Sequence, residues 1–187
     1  MSSDEKKNDQ HIHPLWAPWR MEHIQRTKDG KAPQNKTPDD CVFCDLVTAA
    51  CDEESLKLYQ SELCFIVMNR FPYNPNHLLI IPNSHTMMMP DLAPGVWTDM
   101  SRCLKATVDL LMERIAPHGL NIGLNMGEAG GASIANHLHF HILPRWKGDT
   151  NFMPLLAETK SIPVHNRNVY QNLAPHFADF DKFLKEI

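Results

Sequence analysis

The sequence predicts a single α+β domain in which an antiparallel sheet carries one long helix. Three observations predict it. Short apolar or alternating runs at residues 64–68, 77–82, 120–126 and 137–143 are each bounded by Pro, Asn or Gly, the pattern of strands joined without helical crossovers. Only one long segment, between residues 91 and 117, repeats its apolar side chains at three- or four-residue spacing, which is helix periodicity. The chain has 187 residues, 43% of them apolar, enough to bury roughly 70% of the unfolded surface in one core and too few for two ordinary domains.

Residues 1 to about 12 are polar and charged, with nothing to bury. The following HPLWAPWR can pack but cannot run as a continuous helix, because two prolines interrupt it. A linker-like TKDGKAPQNKTPDD comes next, so residues 1–40 are expected to form a partly disordered extension and 41–187 the folded domain. CFIVM at 64–68 is a short buried strand, and His77 to Pro82 is its hairpin partner. In the helix, Val96, Met100, Leu104, Val108, Leu111 and Ile115 share a face. Asp91 or a neighbour is its expected N-cap, Pro94 lies in its first turn, and Pro117-His118-Gly119 stops it. Leu120, Ile122, Leu124 and Met126 alternate with polar residues and glycine, a strand with one apolar face. Residues 137–143 alternate again and Pro144 closes them. A last helix is expected near 176–186, from Phe177, Phe180, Phe183 and Leu184. The sum is an antiparallel meander with a long helix on it and a C-terminal helix; a Rossmann-type parallel sheet is disfavoured.

With 18 Lys+Arg against 22 Asp+Glu and a net charge of -4, the surface lacks the diffuse basic character that neutralises a nucleic-acid backbone or an anionic membrane. No apolar run approaches the roughly 20 residues of a membrane span, and MSSDEKKNDQ has no apolar signal region. Five cysteines, an odd number, argue for a reducing, cytoplasmic setting and against a disulfide framework.

Three of the eleven histidines, His137, His139 and His141, alternate along one stretch, HLHFH. In a strand they share a face, while Leu138, Phe140 and Ile142 point to the core. A histidine-rich solvent face is the bland reading. One metal ion held by all three is geometrically awkward, since the outer pair have Cα atoms roughly 13 Å apart. Just upstream, Asn125-Met-Gly-Glu-Ala-Gly-Gly-Ala-Ser is glycine-rich. It is either an ordinary hairpin loop or an anion nest in which backbone N–H groups near Gly131 and the Ser133 hydroxyl cradle a phosphate. No Gly-Lys-Ser/Thr ends it, so it is not a Walker loop. Adjacency to the imidazoles favours phosphate chemistry. Cys41-Val-Phe-Cys44 has the spacing of a zinc knuckle but supplies two ligands where a closed site wants four. A redox pair and two buried apolar cysteines are the alternatives; Cys51, Cys64 and Cys103 read as small core residues.

HLHFH with ILPRW after it and the glycine-rich loop before it resembles the signature of the histidine triad (HIT) family of nucleotide hydrolases and transferases. The resemblance extends upstream through VMNRFPYNPNHLLIIPNSH and covers roughly residues 41–146. LWAPWR, PYNPNHLLIIP and PRWKGDTNF are most similar to the bacterial branch of diadenosine tetraphosphate phosphorylases. It implies that His139 is a nucleophile that attacks an α-phosphorus and forms a nucleotidyl-histidine. It also implies that His141 contacts phosphoryl oxygens with Asn125 and Ser133, that Asn69 contacts ribose, and that His77 is the fourth histidine behind the triad. In relatives that keep the Cys-x-x-Cys, a histidine after the Ile-Pro strand and the first triad histidine complete a zinc site, which here means Cys41, Cys44, His85 and His137. The expected activity is phosphorolysis of dinucleoside polyphosphates. Hydrolysis of dinucleotides or nucleoside phosphoramidates, or a zinc-stapled nucleotide-binding module without turnover, are the alternatives. The family also implies a homodimer or higher homo-oligomer. Trp16, Trp19, Trp97 and Trp146 read as packing or interface anchors rather than adenine platforms.

Overall fold

The computed structural model describes residues 41–132, 134–149 and 165–185, together with Pro38 and Ile187. Apart from Pro38, the expected extension over 1–40, with Trp16 and Trp19, lies outside the described residues, as does the Ser133 hydroxyl.

The first helix, α1 (Val42–Thr48), starts from Cys41 as its N-cap. Its C-terminal carbonyls are met by a fully buried lysine: Lys57 Nζ donates to Leu46 O at 2.8 Å and Val47 O at 3.3 Å, and to Gln60 Oε1 at 2.7 Å. A cation at this end of a helix satisfies both the orphan acceptors and the dipole. Neither α1 nor the strand that carries Lys57 was signalled by periodicity, because both are too short to display a period.

Among the described residues, β1 (Lys57–Gln60), β2 (Cys64–Met68), β3 (Leu78–Pro82), β4 (Gly119–Leu124) and β5 (Phe140–Arg145) form one antiparallel sheet. The α+β architecture is the expected one, but the strand order is β1-β2-β3-β5-β4, not the sequential order of a plain meander. After β3 the chain passes through α2 (Pro94–Arg114), enters the far edge as β4 and turns back to insert β5 between β4 and β3. Burial explains the choice. β5 is largely buried and takes an interior position, whereas β4 is half-buried to exposed, with Ile122 46% exposed, and forms the edge. Of the apolar face expected for β4, Leu120 and Leu124 are half-buried against the core, while Ile122 between them stays exposed.

Every residue of β2 and β3 is buried, as unbroken apolar runs require. Helix α2 packs against both strands through Val96, Met100, Cys103, Thr107, Leu110 and Leu111; Leu104, Val108 and Ile115 sit at the margin of that face. Its N-cap is Ala93, without a side-chain cap, and Pro94 is in the first turn. The cap is thus a neighbour of Asp91, which itself belongs to a separate 3-10 turn, Met89–Asp91. Pro144 does not close β5 but lies within it, opposite Leu120 of β4 and beyond the last β3 pair, Leu78–Ile142, so its missing N–H interrupts no bond to β3.

At the C-terminal end the structure has two helices, α3 (Asn166–Phe177) and α4 (Phe180–Lys185). The expectation near 176–186 captured α4; α3 was missed because Pro175 near its end reads as a breaker. Phe177 and Phe180 stack at 5.1 Å across the junction, α4 packs on α2, and α3 on β1. Cys64 and Cys103 are core residues as expected, but Cys51 is exposed; none of the five cysteines is joined in a disulfide. Among the described residues no helix is long and apolar enough to cross a membrane.

Candidate functional site

The expected strand over 137–143 begins only at Phe140, so β5 carries His141 while His137 and His139 lie just before it, and all three reach the interior. His137 is 0% exposed, His139 3% and His141 9%, so the solvent-face reading fails. Nor do the rings converge on one ion, because each is committed to a different partner. The Nδ1–H of His139 donates to the His137 carbonyl at 2.8 Å. A carbonyl only accepts, so the Nε2 of His139 keeps its lone pair.

A second chain of hydrogen bonds fixes His141. The Nδ1 of His77 accepts the Tyr73 backbone N–H at 3.1 Å and the Asn69 side-chain amide at 3.2 Å. The proton of His77 is therefore on Nε2, which donates to His141 Nδ1 at 2.9 Å, and His141 carries its own proton on Nε2. Tyr73 stacks over His141 at 5.9 Å, and Phe43 of α1 meets the His139 ring edge-on at 5.1 Å. One imidazole thus presents a lone pair and its neighbour a donor, with ring centroids 4.8 Å apart.

Burial keeps these rings neutral. It holds His77 down at about 3, with the His141 and His139 rings adding to the effect, and His141 at about 4; His139 is also lowered by burial, opposed by its bond to the His137 carbonyl. In the unfolded chain an imidazole titrates near 6.5, so below that pH the unfolded state binds the extra protons. Stability should accordingly be full above about pH 6.5 and be lost progressively as pH falls toward 4 and 3. Replacing His77 by Gln is predicted to flatten the dependence of the urea midpoint on pH between 6.5 and 4; an unaltered slope would contradict a buried neutral ring.

The other constellation lies on the far side of His137. Cys41 at the N-cap of α1, Cys44 three residues on, His85 beyond β3 and His137 bring four ligand atoms within 4.8 Å of one another. Cys41 Sγ is 3.3 Å and Cys44 Sγ 3.7 Å from His137 Nδ1, and Cys44 Sγ is 3.2 Å from His85 Nδ1. A tetrahedral ion with sulfur at about 2.3 Å and nitrogen at about 2.0 Å has S···N edges near 3.6 Å. The tautomer also fits: His137 Nε2–H donates to Pro82 O at 2.9 Å, which turns the Nδ1 lone pair toward the thiols. Burial holds His137 at about 4, so that lone pair stays free near neutrality. The cluster can hold a metal ion, and it shares no ligand with His139 or His141.

The glycine-rich loop leaves the β4–β5 hairpin beside the triad. Leu124 pairs with Phe140, so Asn125 and His139 are the next residues on two adjacent strands. Asn125 Nδ2 donates to Gly131 O at 3.5 Å, and Gly127 and Gly131 adopt φ of +68° and +83°, which L side chains rarely tolerate.

The HIT domain matches residues 51–148. Over 164 residues, 88% of this chain and 84% of the other, the sequence is 32% identical to AP-4-A phosphorylase of Mycobacterium tuberculosis. This chain belongs to the HIT family. Within it the chain falls in the AP-4-A phosphorylase-like branch and is a nucleotidyltransferase or hydrolase of that family. Two solved structures share the fold. A histidine triad nucleotide-binding protein from Sulfolobus tokodaii is 22% identical, with a TM-score of 0.60 over 78% of this chain and 94% of its own. A zinc-bound histidine triad protein from Mycobacterium smegmatis is 24% identical, with a TM-score of 0.58 over 78% and 99%.

In this HIT chain several supporting residues escaped the sequence reading. Lys57 anchors the helix that bears Cys44, Phe43 packs on the triad, and Tyr73 orients His77. Buried Asn74 ties the loop before β3 to β5 by donating to Pro144 O at 3.0 Å and Asp149 Oδ2 at 2.7 Å. Only Tyr73 and Asn74 had a signal, the turn-rich FPYNPN string beside His77.

Proposed function

We propose that this chain cleaves dinucleoside polyphosphates by nucleotidyl transfer through His139, with diadenosine tetraphosphate as substrate and inorganic phosphate as acceptor. The observation that carries the reading is the pair of opposed tautomers: His139 held with an unprotonated Nε2, His141 with a protonated one. The 32% identity to the mycobacterial phosphorylase supports the substrate class.

In the first step His139 Nε2 attacks the α-phosphorus. The N–P bond forms, the bond to the bridging oxygen breaks, and ATP leaves. A neutral imidazole is a competent nucleophile near pH 7, and a covalent intermediate divides one difficult displacement into two easier ones. The bond from His139 Nδ1–H to the His137 carbonyl lets the ring accommodate the positive charge that develops as Nε2 bonds to phosphorus. The Nε2–H of His141 donates to the phosphoryl oxygens, with Asn125, the backbone around Gly131 and Ser133 as further donors. Asn69 holds the ribose. In the second step phosphate attacks, the N–P bond breaks and ADP leaves, restoring the free imidazole.

Zinc is the metal we assign to Cys41, Cys44, His85 and His137, because two thiolates and two imidazoles in tetrahedral reach suit it. All four positions are filled by protein, so its contribution when bound is a crosslink that fixes His137 and thereby the carbonyl that accepts from His139.

Incubating the protein with diadenosine tetraphosphate, with and without phosphate, tests the reading. ATP and ADP, formed only with phosphate, are expected. ATP and AMP without phosphate would make water the acceptor, and absence of product would leave a binding module.

A further inference from the structure

We infer that Asn166, the first residue of α3, is a positioning residue that holds the nucleotide-binding loop from outside the matched HIT domain. The inference rests on the reading of Asn69 as the ribose contact of a nucleoside 5′-phosphate.

The chain leaves β2 at Asn69, whose N–H makes the closing bond of the hairpin to His77 O at 2.9 Å. It then turns, and the carbonyls of Asn69 and Arg70 fall outside the ladder. Asn166 Nδ2 meets both, donating to Arg70 O at 2.9 Å and Asn69 O at 3.4 Å. One amide nitrogen carries two hydrogens and can serve both acceptors. The backbone held in this way sets where the Asn69 side chain sits. That side chain accepts the Phe71 N–H through Oδ1 at 3.0 Å and reaches His77 Nδ1 through Nδ2 at 3.2 Å. The loop therefore places two functional elements together, the ribose contact and the imidazole that aims His141.

Helix α3 is fixed without help from Asn166. Val169, Tyr170, Leu173 and Phe177 are buried, and Tyr170 Oη donates to Lys57 O at 3.2 Å. Arg167 pairs with Glu53, to which Gln171 Nε2 also donates at 2.8 Å. The neighbouring turn takes a second hold on the loop, as Arg70 Nη2 donates to Glu54 O at 3.2 Å. Residues 165–185 lie beyond the matched 51–148, yet one of them reaches the loop that precedes β3. Removing the Asn166 amide should loosen that loop and leave the helix in place.

The test compares wild type with Asn166→Ala and Asn166→Asp, which lose the N–H donors, and Asn166→Gln, which keeps an amide. For the first two, the Kd for AMP and the KM for diadenosine tetraphosphate are predicted to rise about tenfold, the scale of one or two ordinary hydrogen bonds. kcat should stay within about twofold, since contacts made equally in ground and transition states move KM alone. Amide exchange at residues 69–71 should accelerate about tenfold with β3 and α3 unchanged, and Asn166→Gln should recover part of each effect. Unchanged exchange at 69–71 in Asn166→Ala would overturn the inference, and so would a lower kcat and melting temperature at constant KM, which marks general damage. Wild-type protein that binds no AMP would instead sink the ribose reading, while exchange at 69–71 still reports on the brace.

Discussion

His139→Ala is expected to lose at least two to four orders of magnitude in turnover of diadenosine tetraphosphate while binding AMP nearly as tightly as wild type. Removing a covalent nucleophile takes away an interaction that exists only along the reaction path, so kcat falls and ground-state affinity does not. The ring is buried, but the loss should not come from misfolding. Its one hydrogen bond among those described goes to a backbone carbonyl two residues away, and Phe43 and the His141 ring flank the space it leaves. A His139→Ala variant that kept a tenth of the wild-type rate would place the chemistry elsewhere. His139→Gly with added imidazole offers a complementary check, since a free ring entering the vacated space should restore part of the rate.

Cys41→Ser is expected to act on the other constellation and in the other direction. Cys41 is 1% exposed, at the start of a seven-residue helix whose hold on the domain runs through the Cys/His cluster, Lys57 and Phe43. Replacing one thiolate leaves three ligands, and metal occupancy should fall from about one equivalent of zinc per chain to well under half. The stability lost should be on the order of 3 kcal/mol, as when a buried constellation loses a member, which lowers the melting temperature by roughly 6–12 °C in a domain of this size. AMP affinity should change far less, because Asn69 and the glycine-rich loop do not touch the cluster. Metal analysis and a thermal scan check both. A full equivalent of zinc that survives Cys41→Ser and Cys44→Ser but vanishes in His139→Ala would revive an ion on the triad itself.

Alternation made much of this site legible. HLHFH predicted three imidazoles in one strand row; the strand begins only at Phe140, so His141 alone lies in it and His139 and His137 precede it, and the sequence could not say that all three are covered. Burial of His141 follows from β5 lying between β3 and β4, a position set by the chain returning through α2 to the sheet edge, while Phe43 of α1 packs on His137 and His139. Periodicity along one strand carries no record of which strand becomes its neighbour. The Cys-x-x-Cys spacing predicted two ligands from local geometry, and family resemblance supplied His85 and His137; the structure brings all four atoms together. Of Asp91 and its neighbours, the cap is Ala93, because a side chain able to cap need not be at the cap, and here the chain reaches α2 through a 3-10 turn first. Lys57 and Asn166 left no trace at all. Each acts through one side-chain nitrogen that donates to two backbone carbonyls distant in sequence, at least ten residues for Lys57 Nζ to α1 and at least 96 for Asn166 Nδ2 to Asn69 and Arg70, and neither period nor composition encodes such a pairing.

The central claim is that phosphorus changes partners twice, first onto His139 and then onto the acceptor. The stereochemical course at the α-phosphorus tests it most directly, with a dinucleotide made chiral at that atom by sulfur and oxygen isotope substitution. Each in-line displacement inverts the centre, so transfer through a nucleotidyl-histidine predicts net retention in the ADP formed. Net inversion would mean that phosphate attacks the substrate in one step, and His139 would not be the nucleophile.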